Sequence, residues 1–373
     1  MATIAILKEQ ASGERRVALD PPNCRKLIDQ GHQFKVQREA GAEAGFSNQA
    51  YADAGAELAD DASAALAGCD VVLWINPPAH DTLAQLEAGR TLIGLMLPGL
   101  HEHLLDDLKN GKHLALGMEL VPRITRAQSM DVLSSQATIA GYQAALLAAD
   151  LCPRVFPMLT TAAGTLRPAK AVIIGAGVAG LQAIATCRRL GAQVEAYDIR
   201  AAAREQVQSL GARMIETGVN AETEGGYARD LTDEEKQQQT DVLAEHLAKA
   251  DVVISTAAIP GRPAPKIISK KMVEGMQSGA VIVDLAAETG GNCELTQRGK
   301  NINVNGVIIA GVINMPSRAP LHASEMYARN LLELLKLVFD DEAGIAPDFD
   351  DEVIAGCVLS RDGSIVHKLY AEE

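Results

Sequence analysis

Three glycines in a fixed frame constrain this chain more than any other feature. Residues 171–174 form a short β-branched run, Gly175, Gly177 and Gly180 follow at once, and residues 181–190 carry a helix-like pattern that Gly191 ends. Residues 194–197 read as the next strand, which closes on Asp198. Strand, tight turn, helix and strand make a βαβ unit. In such a unit the first glycine permits the sharp turn, the second lets a pyrophosphate approach the backbone, and the third lets helix and strand pack closely. The helix N-terminus adds unpaired N–H groups and a positive dipole end. Asp198 lies 18 residues after Gly180, where a carboxylate accepts a hydrogen bond from a ribose 2′-hydroxyl and repels a 2′-phosphate. The pattern therefore predicts NAD(H) in preference to NADP(H). Val178 and Ile199 lie in the same frame as candidate contacts. Arg200, two residues past the carboxylate, reads as a helix-start or pyrophosphate-side charge.

The rest of the chain sets bounds on that site. A length of 373 residues suffices for two domains, each with its own core. A net charge of −14 disfavours nucleic acid or an anionic lipid surface as a partner held by charge. Residues 1–7 pass directly into Lys8 and Glu9 and read as a strand, with no signal-peptide pattern. The longest apolar stretches, near residues 92–100 and 144–149, fall far short of the ~20 that span a bilayer. No direct membrane insertion is expected, and any membrane association has to run through a partner. The six cysteines are scattered, without a C-x-x-C pair, which fits a reducing cytoplasmic compartment. His101 and His103, taken as residues of one helix over 101–109, point to different sides, so no metal site is expected there.

Read in order, residues 3–117 alternate strand and helix: strands at 3–7, 33–36, 70–75, 91–97 and 113–117, helices at 21–30, 47–54, 61–67, 81–88 and 101–109. This is the rhythm of a parallel sheet covered on both faces, here without the glycine fingerprint. A long connecting helix is expected over 133–150. The second half continues with helices at 201–210, 232–250 (Thr232 and Glu235 forming a capping box) and 269–276. Its strands fall at 213–215, 252–256, 280–284 and 307–311, the last completing the sheet. A helix over 321–339 returns the chain to the first domain, and residues 358–366 suggest a hairpin turning at Asp362 and Gly363. The expectation is an α/β protein with two doubly wound Rossmann-like domains of parallel sheet, separated by a nucleotide-binding cleft. The first comprises residues 1–133 with 317–373, and the second residues 134–316.

Several motifs together are similar to those of the alanine dehydrogenase and nicotinamide nucleotide transhydrogenase superfamily. They are residues 6–9 with Arg16-Val-Ala-Leu19, Ile259-Pro-Gly261, and Asp284-Leu-Ala286 followed by Gly290 and Gly291. Residues 123–136 closely resemble the signature of the NAD(H)-binding component of proton-translocating transhydrogenases. That resemblance implies that Arg123, Gln128, Asp131 and Ser134 contact the nicotinamide end of the nucleotide, with Ile124, Thr125 and Arg126 beside them. A guanidinium, an amide, a carboxylate and a hydroxyl within 12 residues can fix a carboxamide, and a carboxylate near the ring favours the charge that develops as hydride leaves. The same residues also fit a capped helix start whose Arg–Asp pair is structural. By composition residues 216–229 read as a solvated loop. The resemblance instead implies a mobile loop, hinged near Gly226, whose Tyr227 closes over the nucleotide. Thr256 and Ala258, just past a strand, are expected to line the crevice.

Departures from the alanine dehydrogenase pattern separate the two branches. Where that branch has a lysine and a histidine this chain has Asn76 and Leu97, and its aspartate after the D-x-A motif falls at Glu288. A carbonyl-reducing site needs a proton donor and a cation for the carboxylate. The resemblance thus implies hydride transfer from NADH to NADP(H) held on a partner subunit, with proton passage in a membrane-spanning subunit and a homodimer of this component at the inner membrane face. The alternative is a soluble alanine dehydrogenase-like oxidoreductase, and a third reading is a non-enzymatic NAD(H) sensor.

Overall fold

Runs of β-branched residues flanked by helices fold here into two large sheets, one in each of two units. The computed structural model describes residues 1–200, 202–218, 232–258, 262–340 and 344–371. Unit 1 comprises Met1–Gln136 and Pro316–Glu373, and unit 2 comprises Ala137–Met315.

Unit 1 is built on β1 (Thr3–Ile6), β2 (Gln33–Gln37), β3 (Glu57–Ala59), β4 (Val71–Leu73), β5 (Thr91–Gly94) and β6 (Leu114–Gly117). These six run parallel in the order β3-β2-β1-β4-β5-β6. Strand periodicity sends alternate residues to opposite faces, and both faces are covered. Ile4 and Ile6 pack with Tyr327, Leu331 and Leu335 of the helix Pro320–Val338. Ala5 and Val72 face the other way, onto Leu66, Leu104 and Leu108. That helix is the returning segment expected from the sequence. Two later strands extend the sheet: Val358–Arg361 pairs antiparallel with β6, and Ser364–Ile365 pairs antiparallel with Val358–Arg361 at the edge. Asp362 and Gly363 both take positive φ at their turn, as a two-residue hairpin loop requires.

Unit 2 has β7 (Lys170–Ile174), β8 (Gln193–Tyr197), β9 (Arg213–Met214), β10 (Val252–Ser255), β11 (Val281–Asp284), β12 (Asn301–Val304) and β13 (Val307–Gly311), ordered β9-β8-β7-β10-β11-β13-β12. Alternation again splits the core: Ile173, Ile254 and Val283 lie on one face with Ala144 and Ala148, while Val172, Val253 and Ile282 face Leu243 and Leu247. The helix Asp233–Leu247 starts with the expected capping box, Glu235 N–H donating to Thr232 Oγ1 at 3.2 Å and Thr232 N–H to Glu235 Oε2 at 2.9 Å.

The expected parallel sheets are present, each with antiparallel pairing at an edge. Two expectations need correction. Residues 307–311 do not complete the second sheet, because β12 lies outside them, joined by a turn in which Asn305 and Gly306 hold φ of 50° and 87°. The helix read over 101–109 starts only at Leu104, so His101 and His103 precede it. The His80 and His103 rings lie 5.6 Å apart and His80 Nδ1 pairs with Asp107 at 2.7 Å. Among the described residues no cluster of three or more His, Cys, Asp or Glu could hold a metal, and no helix is long and apolar enough to cross a membrane.

Candidate nucleotide site

Order reverses in the unit 2 sheet between β7 and β10, and the glycine turn leaves β7 at that switch point, where open α/β sheets bind ligands. Gly175 takes φ 89°, a conformation that side-chain-bearing residues avoid. A Cβ on Gly180 would stand 1.8 Å from the Gly175 carbonyl oxygen, so helix and turn could not pack as they do. Gly177 is different. It is exposed, caps the helix Val178–Arg189 with extended backbone, and a Cβ there would meet nothing within 4 Å. The space before the helix N-terminus is thus open to a phosphate, and the residues present fit the dinucleotide that the glycine pattern implies.

Asp198 follows β8. Its carboxylate accepts from Ala176 N–H at 2.7 Å and from Arg200, through the backbone N–H at 2.8 Å, Nε at 3.0 Å and Nη2 at 2.8 Å. Burial raises its pKa, but the bonds from Arg200 and Ala176 outweigh that and hold it below the ordinary carboxylate range, so it is ionised at neutral pH. Arg200 is therefore the partner of Asp198 in this structure. Ile199 between them is 73% exposed and Val178 is 42% exposed, two apolar surfaces at the mouth of the turn. Across the switch point Thr256 Oγ1 donates to the Ile174 and Gly175 carbonyls at 3.2 and 3.0 Å, tying the end of β10 to the turn, while Ala258 is exposed. Gly226, Tyr227 and Ile259-Pro-Gly261 lie outside the described residues.

The stretch 123–134 lies wholly in unit 1, and the helix that it opens, Val132–Leu151, continues past Gln136 into unit 2. Thr125–Met130 is a 3₁₀ helix, in which every third residue shares a face. Ala127 and Met130 are buried in the unit 1 core with Ile124 packed against them, and Asn330 Nδ2 holds the Ser129 carbonyl at 2.6 Å. Arg123, Thr125 and Gln128 remain exposed. Asp131 caps the following helix, its Oδ1 accepting from Ser134 N–H at 2.9 Å and its Oδ2 from Ser134 Oγ at 2.6 Å. Arg126 makes a bidentate pair with Asp351, at 2.8 and 3.0 Å.

Sequence reasoning missed a buried polar cluster at the ends of β1 and β4, the switch point of unit 1. Arg16 holds Glu14 through Nε and Nη2, both at 2.7 Å, and Gln136 through Nη1 at 2.9 Å. Ser317 Oγ also donates to Glu14, and Asn76 Nδ2 donates to Glu14 at 2.9 Å and Glu9 at 3.2 Å. Burial raises the Glu14 pKa, but the Arg16 pairing outweighs it and brings it down to about 2. Burial, with the Glu14 charge adding to it, pushes Glu9 up to about 7. Asn76 therefore spends its amide on two carboxylates. Leu97, held at φ 42°, offers no titratable group, and Glu288 accepts the Asn314 N–H at 3.0 Å.

Comparison with known proteins fits this arrangement. Residues 5–140 match the family model "Alanine dehydrogenase/PNT, N-terminal domain" and residues 144–368 the model "Alanine dehydrogenase/PNT, C-terminal domain". The chain is 44% identical over 374 residues to an NAD(P) transhydrogenase subunit alpha polypeptide of Rhodospirillum rubrum, covering 98% of this chain and 97% of that one. Among solved structures, a transhydrogenase from Sinorhizobium meliloti aligns with a TM-score of 0.89 at 42% identity, over 98% of this chain and 100% of the other. An L-alanine dehydrogenase aligns with a TM-score of 0.84 at 25% identity, over 98% and 97%.

Proposed function

Because the chain belongs to the alanine dehydrogenase/PNT family through both of its domains, we propose that it is the NAD(H)-binding, hydride-donating component of a proton-translocating NAD(P)⁺ transhydrogenase. The observation that carries this reading is the open glycine turn with an ionised carboxylate at the end of the neighbouring strand. NADH supplies the hydride, which passes directly to NADP⁺ held by a partner subunit, and a membrane-spanning partner conducts the proton. The component acts as a homodimer on the inner face of the cell membrane, attached through those partners.

Each protein group has a defined task in this reading. The first turn of Val178–Arg189 and the Gly177 backbone take the pyrophosphate, while Asp198 takes the ribose hydroxyls. Arg123 and Gln128 orient the carboxamide. Asp131, held by Ser134, is a fixed carboxylate that favours positive charge on the ring as hydride departs. The alanine dehydrogenase alternative is disfavoured because Asn76 and Leu97 supply neither a cation for a substrate carboxylate nor a proton donor.

Asp198→Ala tests the nucleotide assignment. The wild-type protein should prefer NADH to NADPH by about two orders of magnitude, and the variant should lose at least tenfold of that preference. The change removes the acceptor for the 2′-hydroxyl and at the same time releases Arg200, a guanidinium suited to a 2′-phosphate. Titration by ligand fluorescence measures both constants. Equal affinity of the wild type for the two nucleotides would refute the role given to Asp198.

A further inference from the structure

Asn292 is fully buried and uses every hydrogen-bonding site of its side chain. Oδ1 accepts from Ser255 Oγ at 2.6 Å and Ala257 N–H at 3.1 Å, and Nδ2 donates to the Ala257 and Pro265 carbonyls at 2.8 and 2.9 Å. One amide thus holds both backbone groups of Ala257. A buried carboxylate sets it in place. Asp284, at the end of β11, accepts from the N–H groups of Ala286 and Cys293, both at 3.0 Å, and from Thr296 Oγ1 at 2.6 Å. These bonds close the turn in which Gly291 holds φ 81°, where a Cβ would meet Asp284 Oδ2 at 2.7 Å.

The consequence falls on the backbone just past β10. Ser255 and Ala257 are tied to Asn292, and Thr256 between them is tied to the glycine turn. We infer that Asn292 is a positioning residue for the nucleotide, acting through Ala257 to hold Thr256 and Ala258 on the β10 side of the switch point. The inference rests on the reading of unit 2 as the NAD(H) site. A dinucleotide lies across such a crevice, so one half is served from the β8 side, where Asp198 stands, and the other from the β10 side. Asn292 governs the second half alone.

Asn292→Asp keeps the two acceptor contacts, removes both donors and sets a carboxylate against two carbonyl oxygens. With the full chain, isothermal titration of NADH and of 5′-AMP separates the possibilities, because AMP reaches the Asp198 side and the glycine turn but lacks the half served from the β10 side. The expected result is an NADH Kd raised at least tenfold with the AMP Kd within twofold of wild type. Unchanged NADH affinity overturns the inference, and so does equal weakening of both ligands, which marks a general structural role. Should Asn292→Asp fail to fold, Ser255→Ala removes one supporting bond and should show the same split at about threefold for NADH; wild-type values there overturn the inference equally. A wild-type protein that binds neither ligand instead refutes the reading of unit 2.

Discussion

Gly177→Ala should weaken NADH binding about a hundredfold, roughly 2.7 kcal/mol, while leaving the stability of the unliganded protein within about 1 kcal/mol of wild type. The backbone at Gly177 is extended, with φ −79°, and a methyl group there meets nothing, so folding loses little. The methyl would instead occupy the space through which a phosphate approaches the helix N-terminus. Gly180→Ala should behave otherwise, losing both binding and stability, because its Cβ collides with the Gly175 carbonyl. Titration and calorimetric melting on the two variants distinguish a binding turn from a merely structural one. If Gly177→Ala bound NADH normally, the turn would not be the pyrophosphate site.

Glu14→Gln should destabilise unit 1 by about 3–5 kcal/mol, since it leaves the Arg16 charge buried without its counterion. The pH dependence follows from the same pair. The Glu14 pKa falls from 4.5 to about 2 on folding, so its stabilisation, about 3 kcal/mol, is complete above pH 4.5 and is lost as pH falls towards 2. Glu9 has the opposite sign. Raised from 4.5 to about 7, it favours the folded state while protonated, and that contribution is lost as pH rises from 4.5 through 7. Urea unfolding of the wild type, followed by the fluorescence of Trp74, should lose stability on both sides of the window. Trp74 is the single tryptophan and is buried in unit 1, so it reports on that unit. Glu14→Gln should flatten the acidic limb and Glu9→Gln the neutral one, and a variant retaining its limb would show that the named carboxylate is not its source.

Local chemistry makes much of this legible in the sequence. Strand, glycine turn and helix over residues 171–190 are set by contacts within a few residues, as is the capping box at Thr232 and Glu235. The β12–β13 hairpin is equally readable, because Asn305-Gly306 between alternating residues is a strong two-residue turn signal, although the strand rhythm alone ends the sheet at residues 307–311. Glu57–Ala59 and the exposed hairpin of Leu159–Thr161 with Gly164–Leu166 are three-residue strands, too short for periodicity to mark. The polar clusters are not readable. Glu14 bonds Asn76 at a separation of 62 residues and Ser317 at 303, and Asn292 meets Ser255 at 37, so the fold alone brings them together. Arg200 is a different case. Two residues from Asp198, its pairing is within reach of the sequence, yet the glycine pattern draws it towards the pyrophosphate instead.

The most direct test of the account is single-turnover hydride transfer in the stopped flow, using an NADP⁺ analogue whose reduced form absorbs apart from NADH. With NADH and the analogue alone, this chain should form no reduced product, because it carries one glycine fingerprint for one dinucleotide. Mixed with the NADP(H)-binding subunit and no membrane component, it should transfer hydride rapidly. Gln128→Asn should slow that step by tenfold or more with little change in NADH affinity, since ring orientation controls the rate at near-attack separation. A chain that binds NADH tightly yet transfers no hydride in the mixture would contradict the account.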